Sequence, residues 1–151
     1  MTTFVFQYKN TKHKTTKSSN MNTNGYISKR FGIPTKRYVQ TMDLKSNDSE
    51  LINKYREAHD KEHFWKEIGR GIKEVGILEM ELYILGSRLV MIVDTPIDFD
   101  WDTAMQRLAT LPHQAEWEAH VAQFQECDTK ATSDEKWQMM ERMFHIYESE
   151  E

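Results

Sequence analysis

Ile77-Leu78-Glu79-Met80-Glu81-Leu82-Tyr83-Ile84-Leu85-Gly86-Ser87-Arg88-Leu89-Val90-Met91-Ile92-Val93-Asp94-Thr95 holds two apolar-rich runs separated by two residues. The runs, Ile77 to Leu85 and Arg88 to Thr95, have the length and composition of strands. Gly86-Ser87 suits a two-residue type II′ turn, whose first central position needs positive φ and therefore glycine. The spacing predicts a β-hairpin. Leu89 to Val93 is apolar without interruption, which predicts a central strand covered by helices.

Working outward, Arg37 to Leu44 alternates as a first strand, with Tyr38, Gln40, Met42 and Leu44 on one face and Val39 and Thr41 on the other. Lys45 to Ser49 is a turn, and Asn47 or Asp48 before Glu50 and Leu51 is an N-cap. A helix follows over about 49–60, with Leu51, Ile52, Tyr55 and Ala58 apolar, and another over about 63–75, with Trp65, Ile68, Ile72 and Val75 on one face. Gly69 and Gly71 weaken the second helix, and Gly76 ends it. Beyond the hairpin, Pro96 and the Asp98/Asp100 pair close the strand and open a helix over about 99–109. Leu111-Pro112 breaks it, and a helix over about 113–125 carries Trp117, Val121 and Phe124. Residues 126–134 form a polar loop. Trp137 to Tyr147 alternates, with Met140, Phe144 and Ile146 on one face and Met139, Met143 and Tyr147 on the other, which predicts a last strand. The order β-α-β-β-α-β predicts a ferredoxin-like α+β fold, an antiparallel four-stranded sheet with helices on one face. The uncovered face and the Met-rich last strand predict a homodimer of the dimeric α+β barrel type. The same sheet could also shape a cavity against its helices.

The chain has 151 residues, enough for one ordinary domain, and no run of 18 apolar residues, so no transmembrane helix is expected. A single cysteine, Cys127, excludes an internal disulfide and a cysteine-based metal site, and a cytoplasmic setting is expected. Residues 1–41 carry eight Lys or Arg and no Asp or Glu, while the remaining 110 carry 12 basic and 24 acidic residues. An acidic body argues against nucleic acid as a partner, since phosphate contacts need clustered cations. Residues 9–30 are dominated by Lys, Asn, Thr and Ser and cannot bury enough surface to offset their ordering entropy. This predicts a disordered basic extension over 1–35 and a folded domain over 36–151. The extension reads as an upstream stretch without function, a transit-like peptide or a tail for acidic partners.

The chemistry-bearing pair is Tyr55 and His59, four apart on the first helix, where i and i+4 side chains share a face. Two readings stand: a proton-transfer pair at the base of a pocket, or core residues with satisfied hydrogen bonds. His63 lies four beyond His59, the spacing of a metal pair, but a third ligand and the zincin glutamate are missing, so no metal is expected. Gly69-Arg70-Gly71 lacks the further spacing of a phosphate loop. His113, His120 and His145 do not cluster in sequence, and Cys127 has no activating neighbour.

Together, Tyr55-x-x-x-His59 after a first strand, Met80-Glu81-Leu82-Tyr83-x-Leu85-Gly86-x-Arg88-Leu89, Glu116-Trp117, and Trp137-x-x-Met140-Glu141 resemble the L-rhamnose mutarotase family, and within it most the L-fucose mutarotase branch. The likeness runs from about Lys36 to Tyr147; residues 1–35 have no counterpart in it. It implies a small homodimeric ferredoxin-like enzyme that interconverts the anomers of a 6-deoxy-L-sugar without metal or organic cofactor. It implies His59 as acid/base and Tyr55 as a sugar contact. Rhamnose-type members have a second tyrosine where Met80 stands and a tryptophan pair where Trp117-Glu118 stands. Met80-Glu81 and Glu116-Trp117 match the fucose type, so L-fucose is the first expectation and L-rhamnose the second.

Mutarotation opens a hemiacetal ring, turns the C1–C2 bond and recloses it. Opening takes a proton from the anomeric hydroxyl and gives one to the ring oxygen, work for a group that titrates near neutrality, such as His59. Tyr55 could hold a hydroxyl or relay a proton, since a phenol both donates and accepts. Trp117, and less directly Trp137, could stack on the sugar's C–H face. Glu81 or Glu141 could accept hydroxyl hydrogens or be the second acid/base, and Arg88 could pair with one of them. Each has a plainer reading: Trp117 as core, Glu81 and Glu141 facing solvent, Arg88 as a solvated hairpin residue. The rival classes are a ligand-sensing module and an oxygenase-type, cofactor-free or haem-using, dimeric ferredoxin-like domain.

Overall fold

A computed structural model describes residues 24–147. The chain divides into two compact units, Met1–Arg30 and Phe31–Glu151. The described part of the first, residues 24–30, is exposed and has no regular secondary structure beyond a turn. The expected extension over 1–35 lies mostly outside the described residues.

The second unit runs β1 (Thr35–Asp43), α1 (Ser49–Ala58), α2 (Lys66–Glu74), β2 (Glu79–Leu85), β3 (Arg88–Pro96), α3 (Trp101–Thr110), α4 (Gln114–Ala122), α5 (Ser133–Lys136) and β4 (Gln138–Met139). The four strands form one sheet in the order β2-β3-β1-β4, with every pair antiparallel. This is the ferredoxin-like arrangement the order of elements predicts. The hairpin forms as the sequence implies: Gly86 has φ of +59° and Ser87 is not in the left-handed region, the pattern of a II′ turn.

Side chains Asp48 and Asp100 cap α1 and α3 by accepting from the N–H groups of Glu50 and Thr103, satisfying amides that the first turn leaves unpaired. Gly76 ends the α2 region at φ of +99°, where a side chain would be strained. Thr132 and Glu135 close a capping box on α5.

Alternation sorts the sheet into two faces. Toward the helices lie Tyr38, Gln40 and Met42 of β1, Leu89, Met91 and Val93 of β3, and Met80, Leu82 and Ile84 of β2. Leu89 and Val93 are fully buried there, packed in one core with Ile68, Leu108, Trp117 and Val121. The other face is mixed. Val39, Val90 and Ile92 are half-buried between Arg37, Asp94, Glu81 and Tyr83. Arg37 grips Asp94 with two hydrogen bonds, at 2.7 and 3.0 Å.

The last strand is much shorter than expected. Only Gln138–Met139 pairs with β1, followed by one more bond from Met140 N–H to the Val39 carbonyl at 2.7 Å. Residues 140–147 leave the sheet and are exposed. The register gives a reason. Gln40 faces Met139 and Thr41 faces Gln138, so a longer ladder would put Arg142 opposite Arg37, and like charges across an antiparallel pair repel. Among the described residues, no helix is long and apolar enough to cross a membrane.

Candidate active site

Between the helix-side face of the sheet and α1, α2 and α4 lies a cavity of about 500 Å³, within the roughly 300–1,000 Å³ range of small-molecule sites. Met80, Leu82 and Met91 form its sheet side, Ile68 and Ile72 an apolar wall, and Tyr55, His59, Trp117 and Trp137 its aromatic lining.

His59 is placed by the way α1 ends. It is the C-cap, where its backbone N–H bonds back to the Arg56 carbonyl and the next N–H, of Asp60, to the Glu57 carbonyl. The imidazole then takes the Tyr55 carbonyl, at 2.8 Å from Nδ1. A carbonyl only accepts, so Nδ1 carries the hydrogen and the neutral ring keeps a bare Nε2 lone pair. Burial pushes the His59 pKa below its ordinary value of 6.5; the Tyr55 carbonyl opposes that shift, and His120 adds to it. The ring is wedged among aromatics: Tyr55 at 4.5 Å, Trp117 edge-on at 5.4 Å and Phe64 stacked at 6.3 Å between centroids. These contacts leave a neutral, oriented base at the cavity wall.

Tyr55 is 2% exposed. Its hydroxyl accepts a hydrogen bond from Gln125 Nε2 at 3.2 Å, which leaves its own hydrogen free to donate. Burial drives the phenol pKa far up, with the Gln125 bond opposing and the nearby Glu118 charge reinforcing. Tyr55 therefore stays protonated and works as a donor. Trp117 is both core and lining. It is 6% exposed, with Phe64 and Trp65 packed edge-on at 5.2 and 5.3 Å.

The structure brings together five of the sequence candidates, His59, Tyr55, Trp117, Met80 and Trp137, on one cavity. Three others lie elsewhere. Glu81 pairs with Ile92 on the far face of the sheet, one residue out of phase with Met80 and Leu82, and accepts from the Tyr83 hydroxyl at 2.8 Å. Arg88, on that same face, bonds Thr41 and forms an ion pair with Asp43 at 3.1 Å. Glu141 is exposed beyond β4. His63 points away from His59 into an exposed cluster with Asp60 at 2.8 Å, and among the described residues no group of three or more His, Cys, Asp or Glu is placed to hold a metal ion.

Sequence reasoning missed a polar wall. Gln114 and Glu118 line the cavity from α4, and Glu118 is held by Gln114 Nε2 at 2.9 Å and by the Lys136 ammonium at 2.7 Å. The Lys136 side chain has no exposed surface and also donates to the Glu118 carbonyl at 2.6 Å. One signal was available: positions 114, 118 and 125 run at helical spacing beside the apolar stripe of Trp117, Val121 and Phe124.

Comparison with known proteins agrees with this architecture. The family model described as L-rhamnose mutarotase matches residues 37–146. An L-fucose mutarotase of Xanthomonas campestris is 31% identical over 113 residues, covering 75% of this chain and 90% of that protein. A UPF0734 protein of Dictyostelium discoideum is 35% identical over 92 residues, 60% of this chain and 71% of its own length. The crystal structure of an L-rhamnose mutarotase from Formosa agariphila superposes with a TM-score of 0.55 at 18% identity, covering 74% of this chain and 99% of that one, which supports the fold.

Proposed function

The chain belongs to the L-rhamnose mutarotase family, a family of carbohydrate isomerases, and on that premise we propose that it interconverts the α and β anomers of a 6-deoxy-L-hexose, L-fucose in the first place, with His59 as the proton acceptor. The observation that carries this reading is the neutral imidazole at the cavity wall, its Nδ1–H committed to the Tyr55 carbonyl and its Nε2 unprotonated.

In the proposed reaction Nε2 takes the proton of the anomeric hydroxyl. The C1–O bond to the ring oxygen breaks, its electron pair goes to that oxygen, and C1 becomes a carbonyl. The Tyr55 hydroxyl, too weak an acid to ionise, donates a hydrogen bond to the oxygen gaining charge, and that oxygen takes its proton from water. Rotation about C1–C2 and the reverse steps give the other anomer, with His59 returning the proton. The chemistry needs only proton transfers, so neither metal nor organic cofactor is invoked. Trp117 and Trp137 offer apolar faces to the sugar's C–H surface, and Met80 fits the deoxy carbon. L-fucose is preferred to L-rhamnose for two reasons. The relative matched over 90% of its length is an L-fucose mutarotase, and the cavity presents Met80 and Glu118 at the positions where the rhamnose-type pattern has tyrosine and tryptophan. The single Cys127 fits a reducing, cytoplasmic setting.

Saturation-transfer proton NMR on the anomeric signals tests the proposal. Exchange of L-fucose is expected to quicken with the protein, more than that of L-rhamnose, and His59→Ala is expected to lose it by about a hundredfold or more. Wild-type exchange in His59→Ala would remove the histidine from the mechanism. Faster exchange of L-rhamnose than of L-fucose would reverse the choice of sugar.

A further inference from the structure

The polar wall of the cavity has a second space beside it. Another cavity, of about 280 Å³, lies between α3, α4 and the segment leading into α5, and Leu108, Gln114, Glu118 and Ser133 line both. The Glu118 side chain thus stands between two spaces rather than in close-packed core. What fixes it is hydrogen bonding. Oε1 accepts from Gln114 and Oε2 from Lys136, and the lysine, wholly buried, has its stem locked at the end of α5.

We propose that Glu118 is the specificity-determining residue of the sugar site, its carboxylate accepting hydrogens from the sugar's ring hydroxyls, with Lys136 and Gln114 as positioning residues that keep it from swinging into the second cavity. This inference rests on the reading of the first cavity as a sugar site. A carboxylate offers about four acceptor sites and no donor when ionised. Gln114 and Lys136 each occupy one, one per oxygen, which leaves one on each oxygen. Lys136 and Gln114 both donate to it, and a carboxylate with two remaining acceptor positions recognises neutral groups that donate. Adjacent ring hydroxyls are such groups. Other acceptors line the cavity, but the bare Nε2 of His59 goes to the anomeric hydroxyl in the proposed reaction and Glu79 Oε1 already accepts from the Met80 N–H. Glu118, fixed through both oxygens, is therefore the carboxylate that can tell sugars apart by where their remaining hydroxyls point. Hydrogen-bonding sites of this kind reject an analogue lacking the hydroxyl because the buried group is then left unpaired.

The test is a binding cycle. Of L-fucose and L-rhamnose, the tighter ligand is compared with its 2-, 3- and 4-deoxyfluoro analogues by titration of tryptophan fluorescence. The proteins are wild type, the double variant E118M/K136M, which removes both charges together, and Glu118→Gln, which keeps the shape. Deoxyfluorination at one or two positions is expected to weaken wild-type binding by roughly ten- to a hundredfold. That penalty is expected to fall to within about twofold in E118M/K136M and to shrink in Glu118→Gln, while the other positions keep their values. An unchanged penalty at every position in both variants would overturn the assignment. Anomeric exchange rates, measured on the same wild-type samples, separate this inference from the proposed reaction. Penalties that collapse where exchange is not accelerated would uphold the subsite and remove the reaction. Accelerated exchange with penalties that persist would do the reverse. If none of the sugars binds the wild-type protein, both fall.

Discussion

At the scale of single residues, burial and one hydrogen bond decide what His59 can do. Its pKa lies below 6.5 because the cavity wall disfavours the charged ring. The neutral form that the proposed reaction needs, bare at Nε2, therefore persists through neutral pH and is lost only as pH falls below that ordinary value. The acid limb of kcat/KM, after subtraction of buffer-catalysed exchange, is expected to have its midpoint below 6.5; a midpoint at or above 6.5 would contradict the buried base. The same shift acts on stability in the same direction. The folded state resists a proton that the unfolded chain accepts, so the contribution is present above pH 6.5 and fades as pH drops through the folded pKa. Lys136 gives a second expectation at this scale. Its ammonium has no exposed surface and leans on one carboxylate and one carbonyl. Glu118→Met alone, which strands that charge, is expected to destabilise the fold by about 3–5 kcal/mol, whereas E118M/K136M together cost much less. Urea midpoints of the two variants check this, and equal losses would mean the pair is not coupled.

At the scale of elements, legibility followed periodicity and stopped where neighbours decide. β1, the two hairpin strands, a cap at Asn47 or Asp48, a helix start at the Asp98/Asp100 pair and the Gly76 stop were readable because each rests on local pattern: alternation, a capping side chain, a residue free of Cβ. The structure takes Asp48 and Asp100 as the caps. The stripe of Ile68, Ile72 and Val75 was readable for the same reason. β4 was not. Trp137 to Tyr147 alternates well, but pairing depends on what lies across the ladder, and Arg142 would have met Arg37. The site divides along the same line. His59, Tyr55 and Trp117 announce themselves by type and spacing on helices that must face the core. Glu81 was misleading because in a strand one step of phase separates the cavity from the far face, and only pairing with Ile92 reveals which side it takes. Glu118 and Lys136 meet across 18 residues of sequence, a contact that no local pattern encodes.

At the scale of the whole molecule, the described residues leave a run of apolar surface exposed near the C-terminal end of the sheet. Met143, Phe144, Ile146 and Tyr147 are each more than two-thirds exposed, with Met139 and Met140 near half. They follow an edge strand beside a sheet face without helices. Monomers seldom leave such a continuous run open to water, and a second copy of the chain, its own last segment equally bare, is the simplest cover. Sedimentation velocity at micromolar concentration is expected to give twice the 18.0 kDa mass of the chain, and F144S/I146S is expected to shift the population toward monomer. The charge distribution adds a sharper expectation. The chain carries 20 basic against 24 acidic groups, a net of −4, so two copies repel weakly at long range, while an apolar contact is insensitive to screening. On the uncovered face Arg37 pairs with Asp94 and Arg88 with Asp43, so these four charges are already matched within one copy. Added salt shortens the Debye length from about 30 Å at 0.01 M to about 8 Å at 0.15 M. It should therefore tighten the dimer, whereas an interface held by ion pairs would loosen. A dissociation constant that rises with salt would assign the contact to charge and return the apolar segment to some other partner.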